Sequence, residues 1–221
     1  SANIAIGLNA LDVADTENHN LAIGTDALGG SVAGGEYNIA IGNYTLDALT
    51  SGDQSVAIGY GAGGATTTGR VLAVGYNAAA ANTSGGAIIA IGDTAYDAAD
   101  TENYNIAIGT DALGGAIAGG EYNVAVGHFS LDALTSADQC VAVGYQAGSA
   151  VTEASGFTGV GFEAGLSTTT GQDNVYMGKT AGRGNTTGGR NIALGFGAIY
   201  NADTESNNLA VGYSALGGAV A

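Results

Sequence analysis

The chain has 221 residues, a formal net charge of −16, 40 Gly, no Pro, no Trp and one Cys. Twenty Asp+Glu against four Lys+Arg argue against nucleic acid and against an anionic membrane surface, both of which recruit cations. The lone Cys excludes a disulfide scaffold, the absence of Pro excludes collagen, and 46% hydrophobic residues argue against disorder.

The first predicted element is the strand Asn3-Ile4-Ala5-Ile6 closed by Gly7, and the same string returns along the whole chain. Its closing glycines are Gly7, Gly24, Gly42, Gly59, Gly75, Gly92, Gly109, Gly127, Gly144, Gly161, Gly178, Gly195 and Gly212. Their spacing is always 16, 17 or 18 residues. Alternating aliphatics read as strand, β-branched Ile and Val reinforce it, and an obligatory Gly marks positive φ or a close backbone approach. Two before that Gly, 11 of 13 residues are Ala, with Gly159 and Tyr176 as exceptions. Four before it, Asn3, Asn20, Asn38, Asn105, Asn123, Asn174, Asn191 and Asn208 form an Asn column. Asn stacked in register is expected to build an amide ladder inside the roll.

A second corner is expected seven residues before the closing Gly, at Gly35, Gly52, Gly85, Gly120, Gly171 and Gly188. Two corners in about 17 residues leave room for two short strands and no helix. The expected fold is therefore all-β, a parallel β-solenoid of about 13 coils, roughly 60 Å long at about 4.8 Å per coil. Residues 12–63 match 97–148 at 38 of 52 positions, a shift of five coils. No linker or composition break appears, so residues 1–221 read as one repeat domain. The repeat runs to both ends, as expected of a fragment of a longer fibre protein. No apolar run approaches the ~20 residues of a bilayer span, and membrane insertion is not expected.

Each strand places Ile/Val on one face and Ala/Gly on the other. The expectation is that the aliphatics fill the roll and that the Ala column forms an outward stripe. A stripe of that extent calls for a partner, and further copies of the chain are the simplest one.

The segment Asn105–Ala112, Asn-Ile-Ala-Ile-Gly-x-x-Ala, resembles the head repeat of YadA-like trimeric autotransporter adhesins. The segments Ser55–Gly63 and Asn191–Tyr200 look even more like repeats of phage tail-fibre proteins. The resemblance covers nearly the whole chain. It implies a left-handed parallel β-roll, a parallel homotrimer, and attachment to a host-surface glycan or protein receptor from a virion or cell surface. The adhesin repeat is shorter, so these coils carry longer turns.

Candidate chemistry is sparse. Gly59–Gly64 fits GxGxxG, but residues 65–92 contain no Asp or Glu, and a dinucleotide fingerprint needs a helix and an acid. His19 and His128 lie about 30 Å apart at strand spacing, too far to share a metal, and read as surface aromatic positions. Cys140 replaces Ser55 in the Asn-rich column and reads as a small buried residue. No catalytic set assembles, and no cofactor is expected. The acidic turns Asp12, Asp15 and Glu17, then Asp97, Asp100 and Glu102, then Asp203 and Glu205 are the best ion candidates. Calcium is the cation considered, although no EF-hand or GGxGxD pattern is present.

Tyr60, Tyr76, Tyr145, Phe162, Phe196 and Tyr213 follow the closing Gly, as packing residues or as a sugar-binding row. Lys179, Arg183 and Arg190 form a local positive spot, read as an inter-chain salt-bridge site. Uniform coil length favours a non-enzymatic attachment fibre of a phage tail. A bacterial trimeric adhesin head is the alternative. A polysaccharide-degrading tailspike would need insertions to build a groove. An ice-binding solenoid would need Thr on every coil, and the sequence shows runs only at Thr66–Thr68 and Thr168–Thr170. The turns Asp97–Tyr104 and Gly114–Tyr122 are the expected receptor-facing surfaces.

Overall fold

The computed structural model describes residues 2–12, 18–30, 35–201 and 204–218. The turn residues Asp15 and Glu17, and Asp203, lie outside these. The described residues form thirteen short parallel strands and no helix. The chain divides into two compact units, Ser1–Thr110 and Asp111–Ala221.

Unit 1 stacks β1 (Ile4–Ile6), β2 (Leu21–Ile23), β3 (Ile39–Ile41), β4 (Val56–Ile58), β5 (Val71–Val74), β6 (Ile88–Ile91) and β7 (Ile106–Ile108) in sequence order. Unit 2 stacks β8 (Val124–Val126), β9 (Val141–Val143), β10 (Thr158–Val160), β11 (Val175–Met177), β12 (Ile192–Leu194) and β13 (Leu209–Val211) in the same way. Pairing is parallel and in register, so Ala22 faces Ala40 and Ala40 faces Ala57. In unit 2, Ala125 faces Ala142 and Ala193 faces Ala210. This is the expected β-solenoid, one strand per coil.

The closing glycines satisfy both reasons for a Gly. Gly42 has φ 135°, and a Cβ there would strike the carbonyl of Gly59 on the next coil. The second corner uses the close approach alone. Gly52, Gly85, Gly171 and Gly188 do not take positive φ; a Cβ on each would strike neighbouring backbone. The turn itself falls two residues later, where Tyr37, Gln54, Tyr104, Tyr122 and Arg190 adopt φ of 57–60°.

Among the described residues the expected second strand per coil is absent. Its place is taken by left-handed residues two and four after the closing Gly, such as Tyr44 (φ 58°) and Leu46 (φ 50°). These kinks prevent a pleated strand, yet the backbone still bonds coil to coil. Leu46 N–H donates to Ala62 O at 3.1 Å, and Thr50 N–H donates to Thr67 O at 2.9 Å. Left-handed L-residues cost roughly 1–2 kcal/mol each. Burial of Leu28, Leu46, Leu113 and Leu131, each fully enclosed, offsets that cost.

The faces are reversed relative to expectation. Ala22, Ala40, Ala57, Ala73, Ala90, Ala107, Ala125, Ala142 and Ala193 are all fully buried inside the coils. The flanking aliphatics point outward and are half-buried or exposed, as in β3 and β8. The interior is narrow and already holds Leu46 and Leu49 from the opposite side of the coil. Opposite such leucines only a small side chain fits the strand's inner face.

Candidate functional site

The outer face of the sheet is built from residues three and one before each closing Gly. These 26 positions hold Ile, Val, Leu or Met in every coil except at Thr158. None of them is buried. Ile58 is 39% exposed, Val143 37% and Met177 46%. The face carries no charge at all on a chain of net charge −16.

One residue beyond the closing Gly, rings stack along the same side. Tyr60 and Tyr76 lie 5.5 Å apart at 13°. Tyr145 and Phe162 lie 5.2 Å apart at 18°, and Phe196 and Tyr213 lie 5.3 Å apart at 7°. Lys179 occupies this column between two rings, with its Nζ 5.3 Å from the Phe162 centroid and 5.9 Å from that of Phe196. Stacked rings cover each other's faces and present edges outward.

The Asn column lies inside, where it can display nothing to a sugar. Asn38 Oδ1 accepts from Ser55 N–H at 2.8 Å, and its Nδ2 donates to Gly52 O at 2.8 Å. Asn123 Oδ1 accepts from Cys140 N–H at 2.9 Å, and its Nδ2 donates to Ala137 O at 2.9 Å. Asn174 and Asn191 do the same in later coils. Asn105 is also buried, and its Nδ2 donates to Tyr96 Oη at 3.0 Å. The expected ladder thus runs mainly from side-chain amide to backbone rather than amide to amide. Cys140 substitutes within it: it is fully buried, and its Sγ donates to Ala154 O at 3.3 Å. Burial pushes its thiol up to about 11.

The acidic turns are not brought together. Asp12 and Asp100 are exposed and Asp97 is half-buried. Glu102 is buried, and its Oε2 accepts from the N–H groups of Asp100 and Thr101, each at 3.1 Å. Glu205 accepts from Thr204 N–H at 3.1 Å in the same fashion. These carboxylates satisfy their own turns. Among the described residues, no group of three or more His, Cys, Asp or Glu is placed to hold a metal ion.

His19 is exposed and stacks on Tyr37 at 4.9 Å and 5°; His128 is exposed in the ring column. Gly61 and Gly63 of the GxGxxG string are left-handed coil positions with φ of 65° and 60°. Arg183 Nε pairs with Glu163 Oε2 at 2.8 Å within the same chain. The Thr runs prove longer than the sequence indicated. Thr50, Thr67, Thr135, Thr152 and Thr169 share one corner, and each hydroxyl donates to a carbonyl of the next coil.

A cleft at the second corner was not anticipated. It lies in unit 1 and is lined by Asp53, Gln54, Arg70, Ala87, Asn103 and Tyr104, with a volume of about 460 Å³. The signal was present in the spacing: the Gly59–Gly75 interval is the short one, at 16 residues. One residue, Arg70, stands between Gly69 and Val71, where the preceding coil has both Asp53 and Gln54.

Among the described residues, no helix is long and apolar enough to cross a membrane. No protein-family model, curated protein or solved structure matches the chain.

Proposed function

We propose that this chain is a segment of a non-enzymatic attachment fibre of phage tail-fibre type, in which three parallel copies pack their aliphatic columns around a common axis. The observation that carries the reading is the uncharged outer face. Twenty-five of its 26 positions are apolar, and depletion of charge is what distinguishes the core of an interface from ordinary surface. In unit 1 alone, seven strands at about 4.8 Å and four residue steps at about 3.3 Å give a footprint of roughly 400 Å². That is the scale at which an apolar patch marks an interaction site. With the strand face committed to self-association, the corners and turns are left to meet a host-surface glycan or protein. Coil intervals of 16–18 residues supply no insertions from which to build a catalytic groove.

Light scattering on the purified chain should give three times 21.4 kDa. Ile106→Asp, on the outward column of β7, should yield a folded species of single-chain mass. A soluble monomer of the unaltered chain at micromolar concentration overturns the assembly. Retention on host-surface polysaccharide without new reducing ends is the expected binding result. Steady release of reducing ends would instead establish a tailspike.

A further inference from the structure

The cleft around Ala87 has a construction that the solenoid itself does not require. At this corner, successive coils contribute Gln54, Arg70, Ala87 and Tyr104 to one column. Tyr37, Tyr104 and Tyr122 show that the column accepts a large ring at φ near 60°. Coil six offers only Gly86 and Ala87 there, and coil five is one residue short. The result is a gap between an arginine and a tyrosine two coils apart.

Arg70 is one of four cations in a chain with 20 acids. It is exposed, and its Nη1 donates to Gln54 Oε1 at 3.1 Å. That bond fixes the guanidinium at the rim and turns the Gln54 amide with its oxygen toward the arginine. Tyr104 is 54% exposed on the far side. Asn103 Oδ1 accepts from Gly86 N–H at 2.9 Å, and Asp53 Oδ1 accepts from Glu36 N–H at 2.8 Å, so both side chains are held in place. An apolar groove of about 330 Å³, lined by Val56, Leu72, Ala87 and Ile89 among others, adjoins Arg70.

We infer that this cleft binds a uronic-acid residue of an acidic polysaccharide, a reading that deepens the attachment function proposed above and rests on it. A guanidinium matches a carboxylate in two parallel hydrogen bonds. An amphipathic ring covers the apolar side of a pyranose. Side-chain amides and a carboxylate at the rim bond to hydroxyl groups, and Asp53 steers the ligand's own carboxylate to the Arg70 end. The volume falls within the range of small-ligand pockets, about 300–1,000 Å³. A neutral glycan leaves Arg70 without its match. Unit 2 carries a smaller relative of the cleft at the same corner, about 270 Å³, where Arg190 stands with Gln172, Asp173 and Ser206.

The test is calorimetric titration of the full chain with α-1,4-linked hexagalacturonate, with maltohexaose as the neutral control. Hexagalacturonate should bind at least tenfold more tightly than maltohexaose. Arg70→Gln should weaken hexagalacturonate about tenfold. Ala87→Tyr, which fills the gap and keeps the arginine, should weaken it similarly. Both sites are exposed, so thermal melting of the variants should stay with the parent. Equal binding by parent and both variants overturns the inference. So does a drop in oligomeric mass for Arg70→Gln, which would make the cleft a socket for an acidic side chain of a second copy. If the variants stay on host-surface polysaccharide as firmly as the parent, the attachment reading stands and this site falls. If the parent binds hexagalacturonate but not the host surface, the reverse holds.

Discussion

Two groups of coils solve the same packing problem differently. In the coils closed by Gly24, Gly42, Gly109 and Gly127, the residue four beyond the Gly is Leu28, Leu46, Leu113 or Leu131, fully buried at φ near 50°. In those closed by Gly144, Gly161 and Gly178 it is Gly148, Gly165 or Gly182, at φ of 59–63°. The backbone is the same. What differs is which side of the coil supplies the volume. Phe157 replaces the column Asn and Tyr176 replaces the column Ala, and both rings are fully buried. A Cβ on Gly182 would lie 2.5 Å from the Tyr176 ring, and one on Gly159 would lie 2.6 Å from Phe157. The interior thus has a fixed capacity. In these three coils buried rings occupy the strand wall where glycine stands on the other, and strain at leucine is exchanged for the backbone entropy of glycine.

Tyr176→Ala should break this complementarity most severely. It restores the column consensus against a wall that still lacks its leucine, and the cavity should cost about 3–5 kcal/mol. Adding Gly182→Leu should recover part of the loss. Thermal melting of the three chains checks it, and equal melting of single and double variants would show that the two walls are not coupled.

Ala107→Leu tests the opposite error, a large residue where the wall is already full. Ala107 is fully buried against Ala90. Overpacking should cost roughly 1–3 kcal/mol, with Ala107→Ser milder, and oligomeric mass should not change. Loss of assembly without loss of stability would mean that the column faces outward after all.

The smallest effect lies with Asp132, on the wall beside a leucine-filled coil. Burial first, and Asp111 second, push its carboxyl up to about 6. Its ionised form is therefore disfavoured in the folded chain. Its stabilising contribution is full below pH about 4, the unfolded value, and is lost as pH rises through about 6. Partial exposure limits the effect to under about 1 kcal/mol. Melting temperature should fall slightly between pH 5 and pH 7, and Asp132→Asn should flatten that slope.

The period, the closing glycines and the internal Asn column were all legible in the sequence, because each is a backbone demand that recurs from coil to coil. The orientation of the strands was not. A sequence reading places Ile and Val inside because burial of large aliphatics dominates most cores. Here the interior is limited in volume rather than short of apolar side chains, and Leu46 and Leu49 already fill it. The clue lay in the exceptions: Tyr176 at an Ala position coincides with Gly182 at a Leu position, which only an inward column explains. The cleft at Arg70 was hidden for another reason. It arises from a missing residue, and motif searches look for residues that are present.

The Asn column also gives the solenoid a direction. Asn38 receives its backbone partner from Asn20 in the coil before, but both side-chain bonds reach forward to Ser55 and Gly52 in the coil after. Asn191 repeats the pattern, reaching forward to Asn208 and Glu205. Where Asn occupies the column, a coil therefore braces its successor. A defect at one Asn orphans a donor and an acceptor only on its C-terminal side. The cost of losing one such amide therefore falls first on the coil that follows it, whose corner carbonyl and strand-entry N–H are left unpaired.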